Sequence, residues 1–366
     1  MNQNRKGWLD LSRGFLMCLV YLYHAEVFYG TGHVWSWLFT PIFLTGFFFI
    51  SGYLFTSDWE KVSIRKKMMQ VVRAILIPYF MFMIVFFLPK IVLLHYDWKE
   101  TAQNILLLRA SWFVIAIGVL QMLYAITMKY VRNVGPFIII SLIYGLIGYG
   151  CLLFYRDLPT WFLENGLLYS KEMPGCMPAC INLAFLSTPF FSLGVLYRKF
   201  EGQILPPPIG NCGVIGLLIA IVYCVLMIVD HRFWFTSFTY SSCLCTNFGL
   251  NIMYFIISMS ALIMVCKKVD VIKPLNYIGE NTLLFYYFNV LMLRVAGMFY
   301  DKGMELTHWN EVKGSLGYGN YIIVTLMAVI GTFPLVWFIN KYLPFLAGRK
   351  DVYNKISRRL NLNINW

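Results

Sequence analysis

WLDLSRGFLMCLVYLYHAEVFYG, running from Trp8 to Gly30, is apolar and long enough to cross a bilayer, which takes roughly 20 residues. It nevertheless carries Asp10, Arg13, His24 and Glu26. An ionisable side chain at membrane depth costs about 2.5–3.5 kcal/mol even on the lenient insertion scale, so such residues mark function by default. Arg13 and His24 are eleven positions apart. At about 100° per residue this is three turns plus about 20°, which places both on one face about 16 Å apart along the axis. Asp10, Met17, Tyr21 and Phe28 fall on or near that face, and Glu26 points away from it.

The rest of the chain has the same character. It has 366 residues, 59% hydrophobic and 13% charged, with a mean hydropathy of +0.66. Soluble domains carry about 25% charged residues. The composition therefore predicts an all-α, polytopic integral membrane protein with one membrane domain over residues 1–366, ending in a short basic tail from about residue 346. The charges interrupting the first apolar run, and the lack of a small-residue cleavage site, argue for a retained helix rather than a signal peptide.

Ten spans are expected: Trp8–Gly30, Trp35–Thr56, Val71–Leu94, Ile105–Met128, Pro136–Tyr155, Cys180–Tyr197, Ile209–Val229, Phe248–Cys266, Ile278–Met298 and Tyr321–Phe345. With a cytoplasmic N-terminus, and with Arg73 and Lys341 counted with the inner loops and Arg109 with the outer loop that they adjoin, 20 of the 30 Lys and Arg residues fall inside, 7 outside and 3 within spans. Basic residues concentrate in cytoplasmic loops, so this bias puts both termini in the cytoplasm. It also accounts for the net charge of +13 without nucleic acid. Three longer outer loops, Arg156–Ala179, Asp230–Asn247 and Phe299–Asn320, carry Trp161, Trp234 and Trp309, which read as interfacial aromatics. Leu205-Pro206-Pro207-Pro208 reads as a stiff inner turn. Cys176, Cys180, Cys243 and Cys245 lie at the outer side, where disulfides and free thiols are both open. Their spacings make no zinc signature, and no metal is expected.

Several motifs resemble acyltransferase family 3, membrane-bound O-acyltransferases of surface polysaccharides, lipopolysaccharide, antibiotics and related acceptors. Leu9-Asp10-x-x-Arg13-Gly14, with His24 further along, is similar to the family's first helix. Phe47-Phe48-Phe49-Ile50-Ser51-Gly52-Tyr53-Leu54 resembles its second-helix signature. Arg73 with Ile77-Pro78-Tyr79, Ser111-Trp112-Phe113, and Ile278-Gly279-x-Asn281-Thr282-Leu283 follow in matching order. The branch containing fucose 4-O-acetylase-like proteins is the most similar. Two positions depart from the pattern. Gln70 stands where an Arg commonly precedes the third helix, with Arg65, Lys66 and Lys67 one or two turns earlier. Asn289 stands where the late segment usually carries a His, so no acid or base role passes to it. A C-terminal hydrolase-like domain found in some relatives is also missing from this sequence.

The resemblance implies acyl transfer from acyl-CoA, with acetyl the family's common cargo, to a sugar hydroxyl of a surface glycan or glycolipid. That reaction needs a base, a grip on an anionic donor and stabilisation of a tetrahedral oxyanion. His24 is the expected base, since imidazole has an ordinary pKa near 6.5; a structural histidine bonded to a backbone carbonyl or a neighbouring helix is the alternative. Arg13 either binds the donor or simply pairs with Asp10. Arg73, Arg65 and Lys67 are expected to hold the phosphates of coenzyme A, although for Arg65, Lys66 and Lys67 a topological role is the simpler reading. Trp112 is a donor-path candidate with a packing alternative. Tyr21, Ser51, Asn281 and Asn289 complete the cavity candidates. No permanently bound cofactor is expected. The expected partners are acyl-CoA, the glycan acceptor and membrane lipids, in a cell (cytoplasmic/inner) membrane, with no statement on oligomeric state. A transporter or flippase for a glycan or lipid-linked sugar is the competing reading, since buried charges also line transport paths.

Overall fold

The computed structural model describes residues 6–29, 35–56, 58–59, 61–94, 97–154, 177–204, 212–234, 238–239, 244–307 and 316–359. Its helices, in chain order, are α1 (Gly7–Tyr29), α2 (Thr40–Phe43), α3 (Thr45–Tyr53), α4 (Ile64–Val71) and α5 (Ile77–Leu94). They continue with α6 (Trp98–Leu106), α7 (Trp112–Tyr130), α8 (Val134–Phe154), α9 (Ile181–Leu186), α10 (Thr188–Ile204) and α11 (Cys212–Phe233). The last are α12 (Phe248–Val269), α13 (Lys273–Glu280), α14 (Thr282–Leu306), α15 (Gly319–Tyr342) and α16 (Lys350–Arg359). Among the described residues the fold is all-α apart from a two-residue antiparallel ladder, Phe238 with Cys245 and Thr239 with Leu244.

Among the described residues, seven helical stretches are long and apolar enough to cross a membrane, and eight if α9 and α10 count as one span bent by 62°. The difference from the ten expected spans has physical causes. Helix α1 has the length, at 23 residues, but carries Asp10, Arg13 and Glu26. The second expected span is short and broken at Leu44. The third begins earlier than Val71, because a π turn over Val72–Leu76 joins α4 to α5 without interrupting the helix. The fourth begins at Trp112, since α6 is a separate amphipathic helix bearing Lys99, Glu100, Gln103 and Asn104. The described part of the tail is structured: a 3-10 turn over Pro344–Ala347 leads into α16, whose Tyr353 hydroxyl donates to the Phe345 carbonyl at 3.0 Å.

The chain divides into two compact units. One comprises Met1–Phe47, Pro206–Thr236 and Gly249–Leu343. Here α1 packs on α13, α14 and α15. Leu16, Met17, Tyr21, Phe285, Leu293, Ala328 and Val336 are fully buried. A second cluster forms around Tyr223, Met227 and Tyr254. Lipid tails are as apolar as leucine, so helices in a bilayer associate by close packing and small residues rather than by a hydrophobic driving force. The crossing of α1 with α13 follows that rule. A Cβ on Gly14 would lie 2.0 Å from the Leu275 carbonyl oxygen, and one on Gly279 would lie 1.8 Å from that of Asp10. The two backbones touch, and only glycine fits at either point.

The other unit comprises Phe48–Leu205, Ser237–Phe248 and Pro344–Trp366. Helices α3 and α10 cross here on Gly52 and Gly194 in the same manner, against the carbonyls of Phe191 and Phe49. This gives the Ser51-Gly52 motif a packing role. Helix α7 packs on α4 and on the π turn. Trp161, Trp309, the Leu205–Pro208 turn, Cys176 and Cys243 lie outside the described residues. Trp234 is exposed. The Cys180 thiol is fully buried and donates to the Leu108 carbonyl at 3.2 Å.

Candidate active site

Helix α1 is fixed at its N-terminus by two side chains that precede and enter α13. The Trp8 amide donates to Asp270 Oδ1 at 3.0 Å, and Asn276 Nδ2 donates to the Gly7 carbonyl at 2.8 Å. A carboxylate at a helix N-terminus satisfies an orphan donor and opposes the positive end of the dipole. With Gly14 and Gly279 in backbone contact, this end of α1 has little freedom. Asp10 and Arg13 lie here, one turn apart, with Arg13 Nη1 3.6 Å from Asp10 Oδ1. The aspartate side chain is 4% exposed and that of Arg13 is 28% exposed. The pair expected from the i,i+3 spacing is formed, and one end of it remains reachable.

Further along α1, Tyr21 is buried, and its hydroxyl binds the Phe285 carbonyl at 3.0 Å and Thr332 Oγ1 at 2.9 Å. The structure thus uses this cavity candidate to hold α1 against α14 and α15. Two turns on, the Tyr29 hydroxyl donates to the Leu293 carbonyl at 3.0 Å. Asn289 lies midway between Phe285 and Leu293 on the same face of α14 and is buried. This face meets α1 along the stretch that contains His24.

His24 is partly exposed although Val20, Tyr21 and Ala25 around it are fully buried. Its ring stacks on Phe28 at 6.0 Å and meets Tyr23 edge-on at 5.6 Å. The Arg294 guanidinium stands over the Phe28 ring at 5.6 Å. Among the described residues, the imidazole has no hydrogen-bond partner. The structural alternative, a bond to a backbone carbonyl or to a neighbouring helix, is not found among the described residues. The aromatic neighbours Tyr23 and Phe28 contact the ring without using either nitrogen.

Glu26, the fourth ionisable residue of α1, does not reach solvent. It is 4% exposed and accepts the amides of Trp35 at 3.2 Å and Ser36 at 3.0 Å, together with the Tyr318 hydroxyl. Burial first, and the glutamate second, push the Tyr318 phenol up, so it stays protonated and donates. Asn281 is also committed. Its Nδ2 donates to the Tyr277 carbonyl at 2.9 Å and its Oδ1 accepts from Asn340 at 2.8 Å, at the break between α13 and α14.

The remaining candidates lie in the other unit. Arg65 and Lys66 are exposed on the first turn of α4. Lys67 is half-buried, donates to the Phe55 carbonyl and stands over the Phe55 ring at 4.2 Å. Arg73, on the π turn, is buried, and its Nε donates to the Gly348 carbonyl at 3.1 Å. Trp112 is partly exposed at the start of α7 and meets Phe113 edge-on at 5.9 Å. Ser51 is partly exposed on α3.

Two features of this unit escape the sequence reading. Tyr53 is buried, donates to Glu201 Oε2 at 2.6 Å and accepts from Arg198 Nη1 at 2.7 Å. The Arg198–Glu201 spacing of three signals the ion pair, but nothing local points to Tyr53. Arg109, counted as an outer-loop charge, is instead 1% exposed, with Nη1 donating to Asn104 at 3.3 Å. The chain folds back at Leu108, whose φ is 57°, and returns the Arg109 amide to the Asn104 carbonyl.

Residues 6–341 match the family described as Acyltransferase domain, acyltransferase family 3. No curated protein and no solved structure matches the chain. The match runs from the start of α1 almost to the end of α15 and includes every candidate residue described above. The chain belongs to acyltransferase family 3 and is a multi-pass membrane acyltransferase.

Proposed function

We propose that this protein moves an acyl group, acetyl being the simplest case, from cytoplasmic acyl-CoA to a sugar hydroxyl of a surface glycan or glycolipid. His24 acts as general base. The observation that carries this reading is a partly exposed imidazole within a charged membrane helix whose nitrogens bond to no described residue. The imidazole takes the acceptor hydroxyl proton as the oxygen attacks the thioester carbonyl. The tetrahedral intermediate then expels the thiolate of coenzyme A, which recovers the proton from the imidazolium. The products are the ester, free thiol and neutral His24. Arg13, held by Asp10, places positive charge on the same face of α1 for the donor or for the developing oxyanion. Asn289 offers an amide at the level of His24. Arg73 binds a phosphate of the donor, with Lys67 and Arg65 adding positive potential and Trp112 lining the donor path.

The placement that suits this chemistry is a single domain crossing the cell membrane ten times, with both termini in the cytoplasm. In it, α1 and the α2–α3 pair add two crossings to the eight recognised by apolarity. The basic segments around α4 and α16 would then face the acyl-CoA pool.

Mass spectrometry of surface glycans from cells with and without the gene tests the reaction. A loss of one acyl unit on deletion, restored by the wild-type gene but not by His24→Ala, is the expected result. General-base catalysis contributes about 10²–10⁴-fold, so the variant should restore less than a hundredth of the wild-type rate. Restoration at near wild-type level by His24→Ala would remove the histidine from the mechanism.

A further inference from the structure

We propose that the turn at Gly348 is a positioning element for Arg73, pinning the guanidinium so that its terminal nitrogens meet a donor phosphate end-on. The proposal rests on the reading of Arg73 as a donor-binding residue and extends it to a segment beyond the family match, which ends at residue 341.

The contact is specific in geometry. Arginine grips an oxyanion either side-on, through Nε and one terminal nitrogen, or end-on, through both terminal nitrogens. The Gly348 carbonyl takes the Nε–H at 3.1 Å, which closes the side-on mode. The terminal nitrogens bond to no described residue. The acceptor is a neutral carbonyl rather than a carboxylate, so Arg73 keeps its full charge for an anion. The side chain is only 9% exposed, so its direction is set before a ligand arrives and less rotamer freedom is lost on binding.

Both sides of the contact have unusual backbone. Arg73 sits in the π turn over Val72–Leu76, a feature that recurs at functional sites. Gly348 has φ +65°, which disfavours any other residue, and a Cβ there would lie 2.9 Å from the Ala74 Cα. The turn is itself braced. The Gly348 amide donates to the Phe345 carbonyl at 3.1 Å, and the Tyr353 hydroxyl donates to that same carbonyl from α16 at 3.0 Å. Leu346 and Tyr353 are buried. The Arg73 charge also acts on the Tyr353 phenol, which burial pushes up and the guanidinium pulls down.

Binding of acetyl-CoA to the full chain in nanodiscs provides the test, over a range of salt concentrations. Arg73→Ala should weaken binding by about tenfold, the scale of one hydrogen bond to a charged group, and flatten the salt dependence. Gly348→Ala should weaken binding by a few-fold to about tenfold and flatten the salt dependence likewise. The double variant should bind no worse than Arg73→Ala alone. A merely structural glycine would leave the salt slope unchanged. If Gly348→Ala melts without folding, Tyr353→Phe loosens the same turn and carries the same expectation. Wild-type affinity and slope in the turn variants, with Arg73→Ala weakened, would overturn the clamp and leave the donor reading intact. Independent, multiplying effects in the double variant would overturn it too. Unchanged affinity in Arg73→Ala itself would instead end the donor reading.

Discussion

Helix α1 and the α4–α5 segment each carry charged residues into an apolar run, and they satisfy them by different means. On α1 the counterparts include side chains and amides aligned within one unit: Asp10 pairs with Arg13, and Glu26 gathers two amides and a phenol. Along α4 and the π turn the described partners of the cations are backbone carbonyls, Phe55 for Lys67 and Gly348 for Arg73. A carboxylate cancels a cation, whereas a carbonyl orients it and leaves its charge. The first arrangement neutralises charge within a packed helix, and the second leaves positive potential open to an anion, as the proposed donor binding requires.

The two regions also differ in how firmly they are held, and paired substitutions expose this with the largest effect expected anywhere in the chain. Gly279→Ala drives a Cβ into the Asp10 carbonyl oxygen at 1.8 Å, where neither backbone can yield without moving α1. Loss of folded protein is expected, measured as a collapse of the monodisperse peak in size-exclusion chromatography. Gly118→Ala, on α7 against the cationic segment, meets only the side chains of Val71 and Ile75 at 3.3 Å. A shift within about 1 kcal/mol is expected there, since side chains can give where backbones cannot. Equal tolerance of both substitutions would erase the distinction.

The next effect in size concerns Glu26. Glu26→Gln keeps one acceptor oxygen for the Trp35 amide and the Tyr318 hydroxyl but turns an NH2 group towards the Ser36 amide, itself a donor. The cost is that of buried donors left unpaired, about 1–3 kcal/mol, read from denaturation in detergent. The opposite outcome, wild-type stability, would mean that the carboxylate does not bind the turn at Trp35 and Ser36.

What could be read from the sequence follows the same division. Relations set by the helical repeat are visible: the face shared by Arg13 and His24 three turns apart, the Asp10–Arg13 pair one turn apart, and the apolar runs. Partners distant in the chain are not. Glu26 lies nine and ten residues from two of its donors and 292 from the third. The Gly348 carbonyl is 275 residues from Arg73. The breaks at Ser187 and Asn281 split expected continuous spans because a run of apolar residues says nothing about where a helix bends. The motif glycines were legible as motifs. Only the crossings of α1 with α13 and of α3 with α10 give the physical reason that Gly14, Gly279 and Gly52 stand there.

The smallest expected effect separates two arginines of one segment. Arg65 is exposed on α4 with no partner among the described residues, while Arg73, eight positions on, is buried and anchored. An exposed charge contributes about 0–1 kcal/mol through solvent, and salt screens it beyond a Debye length of about 8–10 Å. Arg65→Ala should therefore change acetyl-CoA affinity by less than about fivefold at low salt and by nothing measurable at 0.5 M salt. A residue that touched the donor would keep part of its effect at high salt, as Arg73 should. If Arg65→Ala weakened binding as much as Arg73→Ala under both conditions, the donor would have to be held at the exposed turn of α4. The carbonyl-anchored guanidinium would then have to be read as a helix tie rather than a phosphate fork.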